Sequence, residues 1–382
     1  MDSNMTFNHQ NQIRNQLNNS ILSNTTLREC FCNIITEDLT FQQKILILGI
    51  LPTISSIGIL NNTSNFCIYI KNKNSASRYL AYLSISDFGI CLMGILVMFA
   101  DSLRTYYYAI DQMFSRCMPY LQPLSSMFQM FSVYITVAAA IDCFISVSPR
   151  HKRIKKWYST VKIANKVALY IFIFIFFYNI IVFKELEAIL CYSKRYGHEI
   201  YELCPSELRI SEVYTTVYRG YMYAVLCAVS PFVILCILTV GILSNYKKNG
   251  TKSKSKLEEC NSKMYINNGE NHDNVSIDDD NDNEEPPIVL ILVVILFLFC
   301  NIIPLIVNIC EFIPGVFNEE QLHFLSDIGN NLVVFNATAN FFIYAIFSNS
   351  YRRELFKNRN NYICFLHTTK DAETSNSEVA AV

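Results

Sequence analysis

The sequence predicts an all-α membrane protein, a seven-transmembrane helix bundle followed by a short interfacial eighth helix. Three observations support this fold. Hydrophobic residues make up 52% of the 382 residues and charged residues only 16%, against roughly 25% charge in soluble domains. Seven apolar runs have about the 20 residues that a helix needs to cross a bilayer. Lysine and arginine cluster in two of the short connecting loops, as they do in cytoplasmic loops.

The seven runs are separated by polar or charged loops. Because hydrocarbon offers no water to the backbone, each run must pair its own amides and is predicted to be helical. The predicted spans are Ile45–Ile70, Leu80–Ala100, Leu121–Val147, Val167–Phe183, Tyr221–Leu243, Ile288–Ile313 and Ile328–Phe347.

Positive charge sets the orientation. Lys71, Lys73 and Arg78 follow the first span, and a longer run of cations between Arg150 and Lys166 follows the third. Both loops are therefore predicted to be cytoplasmic. With seven spans, the N-terminus lies outside and the C-terminus inside, as in a multi-pass protein of the plasma membrane.

The spans divide the chain into an extracellular tail at 1–43, a seven-helix domain at 44–357 and a cytoplasmic tail at 358–382. Residues 244–287, the longest inside loop, begin basic and end acidic with few apolar side chains. This composition predicts disorder. The tail before the first span has no cleavable signal peptide pattern.

A short amphipathic segment follows the seventh span. Between Ser350 and Lys357, Tyr351, Leu355 and Phe356 fall on one side of a helix with cations opposite. This pattern predicts a helix lying in the membrane interface.

Several residues are candidates for covalent modification. Asn4, Asn18 and Asn24 begin glycosylation sequons in the predicted outside tail. Cys364, beyond the interfacial helix, is a candidate for palmitoylation or an unmodified tail cysteine.

Asp87 is the only acid well inside the second span. A charge at that depth costs several kcal/mol unless it is paired or hydrated. Asp87 is therefore either a carboxyl tied to neighbouring hydroxyls or an ion or proton site coupled to conformation. Further polar residues at comparable depth extend a predicted buried cluster: Asn62, Ser132, Asn336 and Asn340.

Three segments carry a resemblance to a known family. Ser132 to Phe144 in the third span, Cys300 through Pro304 to Glu311 in the sixth, and Asn340-Phe341-Phe342-Ile343-Tyr344 in the seventh resemble rhodopsin-like G-protein-coupled receptors. The nearest likeness is to FMRFamide-type invertebrate neuropeptide receptors. It covers about Ile45 to Lys357 and leaves the tails and third inside loop uncovered.

The resemblance implies roles for particular residues. The cluster around Asp87 matches the polar network that holds an allosteric sodium ion, and no other cofactor is implied. Asp142, Cys143, Pro304 and Tyr344 match the activation switch. Cys117 and Cys204 match the disulfide that ties the third helix to the second outside loop.

Some positions depart from the family pattern. Asp-Arg-Tyr reads Asp142-Cys143-Phe144, so the arginine that meets the G protein is absent, and Ile302 replaces the tryptophan of the sixth helix. The spacing from Cys117 to Asp142 is one residue long. Five cysteines are predicted outside, an odd number that leaves their pairing open: Cys30, Cys32, Cys117, Cys191 and Cys204.

The predicted function is a receptor for an extracellular ligand, a neuropeptide by resemblance, that signals to a heterotrimeric G protein. Acids near the outer helix ends are candidates for binding a cationic peptide, with Glu311 foremost: Glu311, Asp101, Asp327 and Glu212.

Three other classes of protein are alternatives. A divergent chemosensory or decoy receptor with weak or absent coupling would share the fold and is favoured by Cys143. A transporter or channel would show paired repeats, and none is visible. No catalytic or metal-ligand pattern points to an enzyme, and a net charge of -1 gives no sign of a nucleic-acid partner.

Overall fold

The structure, a computed structural model, describes residues 40–148, 152–193, 196–246, 287–310 and 317–357. Within these ranges, seven helices are long and apolar enough to span a membrane, which confirms the predicted bundle. They are α1 Phe41–Tyr69, α2 Ser75–Arg104, α3 Tyr108–Val147, α4 Val161–Lys184, α5 Tyr214–Tyr246, α6 Ile288–Cys310 and α7 Glu319–Phe347. Shorter helices are Lys152–Tyr158, Glu207–Ile210 and residues 349–357, named α8.

Several spans begin earlier than predicted. Helix α3 starts at Tyr108 and not at Leu121, and it contains both Pro119 and Pro123. Helix α7 starts at Glu319, where the side chain of Asn318 caps the first turn. The cause is common to both: the outer turns carry polar side chains, so hydropathy underestimates helices that extend beyond the hydrocarbon.

Helix α6 is interrupted between its two α-helical segments, Pro287–Cys300 and Ile302–Cys310. Proline has no N–H, so Pro304 cannot donate to the carbonyl of Cys300 one turn earlier. The outer half of α5 is wound as π-helix over Tyr214–Met222 and Ala224–Val229. Irregular winding of this kind often occurs at functional sites.

A β-hairpin joins α4 to α5, and the sequence analysis did not predict it. Strands β1 (Leu186–Ser193) and β2 (His198–Pro205) are antiparallel, with Cys191 opposite Ile200 and Cys204 opposite Glu187. Gly197 adopts a φ of 71° before β2, a conformation that glycine takes at little cost. The hairpin marks one face of the bundle, called here the hairpin side.

Helix α8 is present as predicted and packs on the opposite side. Tyr351 is fully buried, and its hydroxyl donates a 2.6 Å hydrogen bond to Oδ1 of Asn65 in α1. Leu355 packs against the main hydrophobic core, whereas Phe356 is exposed.

A close contact between helices depends on a glycine, which has no side chain. A Cβ on Gly58 of α1 would lie 2.4 Å from both Cys91 Sγ in α2 and Thr338 Oγ1 in α7. Glycine at this position therefore allows three helices to meet beside the polar cluster.

Some predicted features lie outside the described residues: most of the third inside loop, both tails, Asn4, Asn18, Asn24, Cys364 and Glu311. Helix α5 continues to Tyr246, two residues beyond Ser244, the predicted start of that loop.

Candidate functional site

Asp87 lies at a junction of three helices. Its carboxylate is 1% exposed and accepts hydrogen bonds from Ser132 Oγ of α3 at 3.0 Å and Asn340 Nδ2 of α7 at 2.7 Å. One side chain of α2 therefore links α3 and α7, as a switch residue would require.

The other two predicted members are placed differently. Asn62 donates to the main-chain carbonyls of Gly58 and Ala337, both at 2.9 Å, and so joins α1 to α7 without bonding to Asp87. Asn336 is buried one turn from Asn340, and the Oδ1 atoms of both asparagines have no hydrogen-bond partner. Unsatisfied buried acceptors of this kind call for an explanation.

A monovalent cation fits this chemistry. The carboxylate of Asp87 supplies the negative charge. The unpaired Oδ1 atoms of Asn336 and Asn340 supply oxygen ligands, which hard cations prefer. Among the described residues, no group of three or more His, Cys, Asp or Glu side chains could hold a metal ion.

The second predicted switch region lies near the end of α3 opposite the hairpin. Asp142 accepts hydrogen bonds from Ser75 of α2 at 2.8 Å and from Ser159 in the following loop at 2.7 Å. Cys143 is 2% exposed and belongs to the hydrophobic core. A buried thiol stands where the family pattern has a guanidinium.

Tyr344 of α7 lies in a cluster of aromatic rings near the same face. Its ring meets that of Tyr69 edge-on at 5.1 Å and that of Tyr351 at 5.7 Å. Movement of Tyr344 would therefore disturb α1 and α8 together.

On the hairpin side of Asp87, a cleft opens between α3, α5 and α6. The space between its walls measures about 500 Å³, a volume that includes open solvent. None of its lining side chains is charged. Three of them are carboxamides, and most of the rest are apolar or aromatic: Gln129, Met130, Val133, Tyr223, Cys227, Ala228, Pro231, Phe232, Phe297, Asn301, Pro304, Leu305 and Asn308.

Hydrogen bonds fix which atoms two of these carboxamides can offer. Asn301 Nδ2 donates to Phe297 O at 2.8 Å, and Asn308 Nδ2 donates to Pro304 O at 2.7 Å. Because each NH2 group has two hydrogens, each side chain keeps both its Oδ1 acceptor and one N–H donor for a ligand. Pro304 lines the same cleft and packs 3.4 Å from the Cβ position of Gly329 in α7.

Three of the four acids predicted to bind the ligand are described by the structure, and these three do not line this cleft. Asp101 pairs with Arg104 at 3.1 Å, and Asp327 accepts a 3.0 Å hydrogen bond from Gln43. Glu212 is exposed before α5. Asp101 and Asp327 thus already have partners.

Sequence analysis missed an ion-paired cluster around Glu185, just beyond α4. This carboxylate is fully buried and is bound by Arg209 at 2.7 Å, by Arg219 and by the hydroxyl of Tyr214 at 2.5 Å. Burial alone would raise the pKa of Glu185. The hydrogen bond and positive charge of Arg219, together with hydrogen bonds from Tyr214 and Arg209, favour the ionised form more strongly. The pKa of Glu185 therefore lies below its ordinary value. The cluster fixes the hairpin base to α5.

The predicted Cys117–Cys204 disulfide is wrong. Cys117 is exposed and free, whereas Cys204 is disulfide-bonded and buried. The long spacing noted in the sequence explains the error, since one residue along a helix rotates a side chain by about 100°. The next residue, Met118, is the one that is buried.

Another side chain holds the hairpin to α3. Gln112 accepts a hydrogen bond from the main-chain N–H of Tyr201 at 2.9 Å and donates to its carbonyl oxygen at 3.2 Å. One turn further along α3, the guanidinium of Arg116 lies over the Tyr201 ring, 4.1 Å from its centroid. Gln112 and Arg116 were not among the predicted site residues.

Seven spans around a buried acid, with an uncharged cleft open on one side, define a membrane receptor of the seven-helix class. The chain belongs to the rhodopsin family of 7 transmembrane receptors, whose family model matches residues 64–344.

Two proteins within this class are similar to the chain over most of its length. It is 28% identical over 337 residues to a probable G-protein coupled receptor, frpr-1, of Caenorhabditis elegans, with 82% of this chain and 79% of that protein covered. It is 23% identical over 344 residues to the FMRFamide receptor of Drosophila melanogaster, with 88% of this chain and 55% of that protein covered. The chain thus spans about half the length of the second relative.

Proposed function

We propose that the chain is a plasma-membrane receptor for an amidated neuropeptide, with its N-terminus outside, that signals through a heterotrimeric G protein. The relatives support the ligand class, since one is named as an FMRFamide receptor. Both relatives and the family support receptor activity and not catalysis.

The observation that carries the proposal is the chemistry of the cleft between α3, α5 and α6. Its lining has no charge, and the side chains of Asn301 and Asn308 present acceptor oxygens. A C-terminal amide brings N–H donors and a carbonyl acceptor, which match the free Oδ1 and N–H of a carboxamide side chain. A free carboxylate has no donor and would bring an unpaired charge into an uncharged lining. The aromatic and apolar lining suits a large apolar residue beside that amide.

The experiment compares two peptides that differ in one group. An Arg-Phe-amide peptide and its free-acid analogue would be applied to cells expressing the receptor, with G-protein nucleotide exchange as the readout. The amide should be at least about 100-fold more potent, because an unpaired buried charge costs more than about 3 kcal/mol. Equal potencies would contradict the proposed cleft.

A variant pair locates the contact. Asn301→Ala should weaken the amidated peptide by about 5- to 150-fold, the equivalent of about 1 to 3 kcal/mol. Thr63→Ala in α1 is the control, since its hydroxyl bonds only to its own helix at Ile59 and lies away from the cleft. Similar losses in both variants would mean that Asn301 supports folding.

We also propose that Asp87 holds a sodium ion that couples to the conformation of the bundle. The buried, unpaired Oδ1 atoms of Asn336 and Asn340 support this, because a cation prefers oxygen ligands. When bound, the cation would neutralise the carboxylate and favour the arrangement in which α2 and α7 stay close.

A second candidate function is a receptor that binds its ligand but couples weakly to G proteins. Cys143 favours it, because a thiol buried in the core cannot provide the several fixed donors of a guanidinium. Peptide binding without nucleotide exchange on any G-protein class would select this alternative.

A further inference from the structure

The hairpin between α4 and α5 contains two oxidised cysteines. Cys191 in β1 and Cys204 in β2 are both disulfide-bonded. The other eight described cysteines are free, including Cys117.

The strand register shows that Cys191 and Cys204 are not bonded to each other. Cys191 lies opposite Ile200, and Cys204 lies opposite Glu187, four residue pairs further along the hairpin. At about 3.4 Å per residue, with strands about 4.8 Å apart, the two Cα atoms are separated by about 14 Å. A disulfide joins Cα atoms only about 4.4 to 6.8 Å apart.

Topology restricts the partners. The chain has 14 cysteines, and four lie outside the described residues: Cys30, Cys32, Cys260 and Cys364. Four spans separate the N-terminal tail from the hairpin, so the two share one side of the membrane. Five spans precede Cys260 and seven precede Cys364, so both of these lie on the other side.

We infer that Cys30 and Cys32 are the partners of Cys191 and Cys204, and that two disulfides tie the N-terminal tail to the hairpin. The five outside cysteines counted in the sequence then resolve into two pairs and one free thiol, Cys117.

The geometry of the hairpin suits a double link. Residues directly opposite in an antiparallel pair share a face, and so do residues four apart on one strand. Cys191, Glu187 and Cys204 therefore lie on the same face. Both cysteines of the hairpin can therefore be bonded from one side of it.

Each bond joins two thiols and releases two protons and two electrons. In the secretory lumen these pass by thiol–disulfide exchange to an oxidised dithiol carrier, which is reduced as the protein disulfide forms.

Peptide mapping without reduction tests the inference, and the chain is well arranged for it. Trypsin cleaves after Arg28, Lys44, Lys184, Lys194, Arg195 and Arg209, so it separates the two hairpin cysteines. Free thiols of the purified full-length receptor would be alkylated in acidic denaturant before digestion, because Cys204 is only 2% exposed.

The expected product is one assembly of three peptides, 29–44, 185–194 and 196–209. A bond from the Cys117 peptide to either hairpin peptide would overturn the inference. So would a bond between the hairpin peptides alone, or alkylation of Cys191 or Cys204.

Single substitutions provide a second test. Cys30→Ser should release one hairpin peptide in alkylated form and Cys32→Ser the other, whereas the control Cys117→Ser should leave the three-peptide assembly unchanged. Release of the same peptide by both tail variants, or of neither, contradicts the inference. None of these measurements uses a ligand, so the outcome is independent of the proposed neuropeptide.

Discussion

The side-chain amide of Asn340 donates a 2.7 Å hydrogen bond to Oδ2 of Asp87, and the hydroxyl of Ser132 donates to the other oxygen of the same carboxylate. Asn340 also precedes Tyr344 by one helical turn on α7. A change in the charge or partners of Asp87 therefore acts on the segment that carries the aromatic cluster at the opposite face.

Asp87→Asn should abolish any dependence of agonist affinity on sodium. The substitution keeps the size of the side chain and removes the charge that attracts a cation. Radioligand binding across a series of sodium concentrations, with a large organic cation keeping ionic strength constant, measures the effect. Glu199→Gln removes one exposed negative charge on β2 and serves as the control. A sodium response in Asp87→Asn as large as in the natural receptor would contradict sodium binding at Asp87.

Cys143→Arg should raise basal or agonist-driven G-protein activation. Arginine offers five N–H donors in a planar fork, and its long apolar stem can leave the core while the charged head reaches the surface opposite the hairpin. Cys143→Ala is the matched control, since it removes the thiol without adding donors and should couple like the natural receptor. The measurement is nucleotide exchange normalised to surface expression. If Cys143→Arg reaches the surface and signals no better, the missing arginine does not limit coupling.

Glu185→Gln should destabilise the hairpin base by about 3 kcal/mol. Losing one partner of a buried ion pair costs about 3 to 5 kcal/mol, and the lower end applies because Arg209 and Arg219 are 39% and 25% exposed and can reach water. Thermal unfolding of the solubilised receptor reports the loss. Glu199→Gln, an exposed acid on β2, is the control and should have little effect. Equal shifts in the two variants would contradict the importance of the buried pair.

The same cluster predicts a pH dependence. The pKa of Glu185 is lower in the folded protein than its ordinary value of 4.5, so the unfolded chain takes up the proton first as pH falls. The contribution of Glu185 to stability is therefore complete above about pH 4.5 and is lost at lower pH. Glu185→Gln should lack this part of the acid destabilisation, and melting curves at several pH values would show whether the difference between the two proteins shrinks towards low pH.

The seven spans and α8 could be predicted because membrane insertion depends on local composition. The contacts of Asp87 with Ser132 and Asn340 were also within reach, since a buried acid requires partners and few polar residues lie at that depth. The close contacts at Gly58 and the hydrogen bonds of Asn62 to main-chain carbonyls could not be predicted. Both depend on how closely α1 approaches its neighbours.

Features outside the hydrocarbon were harder to predict. The first turns of α3 and α7 are polar, and the hairpin pairs residues of β1 with residues up to 19 positions away, as in Leu186 with Pro205. Neither property gives a local signal. The error at Cys117 has a different origin. In this chain the cysteine lies one residue away from the position that the family pattern gives it, so its side chain points away from the hairpin.

Gln112→Ala should loosen the contact between the hairpin and α3. In the part of the chain that the structure describes, the sheet has two strands and no third strand pairs with the outer N–H and C=O of Tyr201. The side chain of Gln112 satisfies both groups. Leaving these partly buried groups unpaired costs about 1 to 3 kcal/mol. Amide hydrogen exchange in the peptide 196–209 should therefore become about 5- to 150-fold faster, with no corresponding change in α2 or α7.

Two further variants distinguish the hydrogen bonds from general packing. Gln112→Glu keeps an acceptor for the N–H of Tyr201 but loses the donor to its carbonyl, so it should fall between the natural receptor and Gln112→Ala. Gln122→Ala changes the same residue type about 15 Å further along α3 and should leave exchange in the hairpin unchanged. If Gln112→Ala and Gln122→Ala accelerate exchange equally, the hairpin is held by other contacts, and the stacking of Arg116 on Tyr201 is then the first to test by Arg116→Ala.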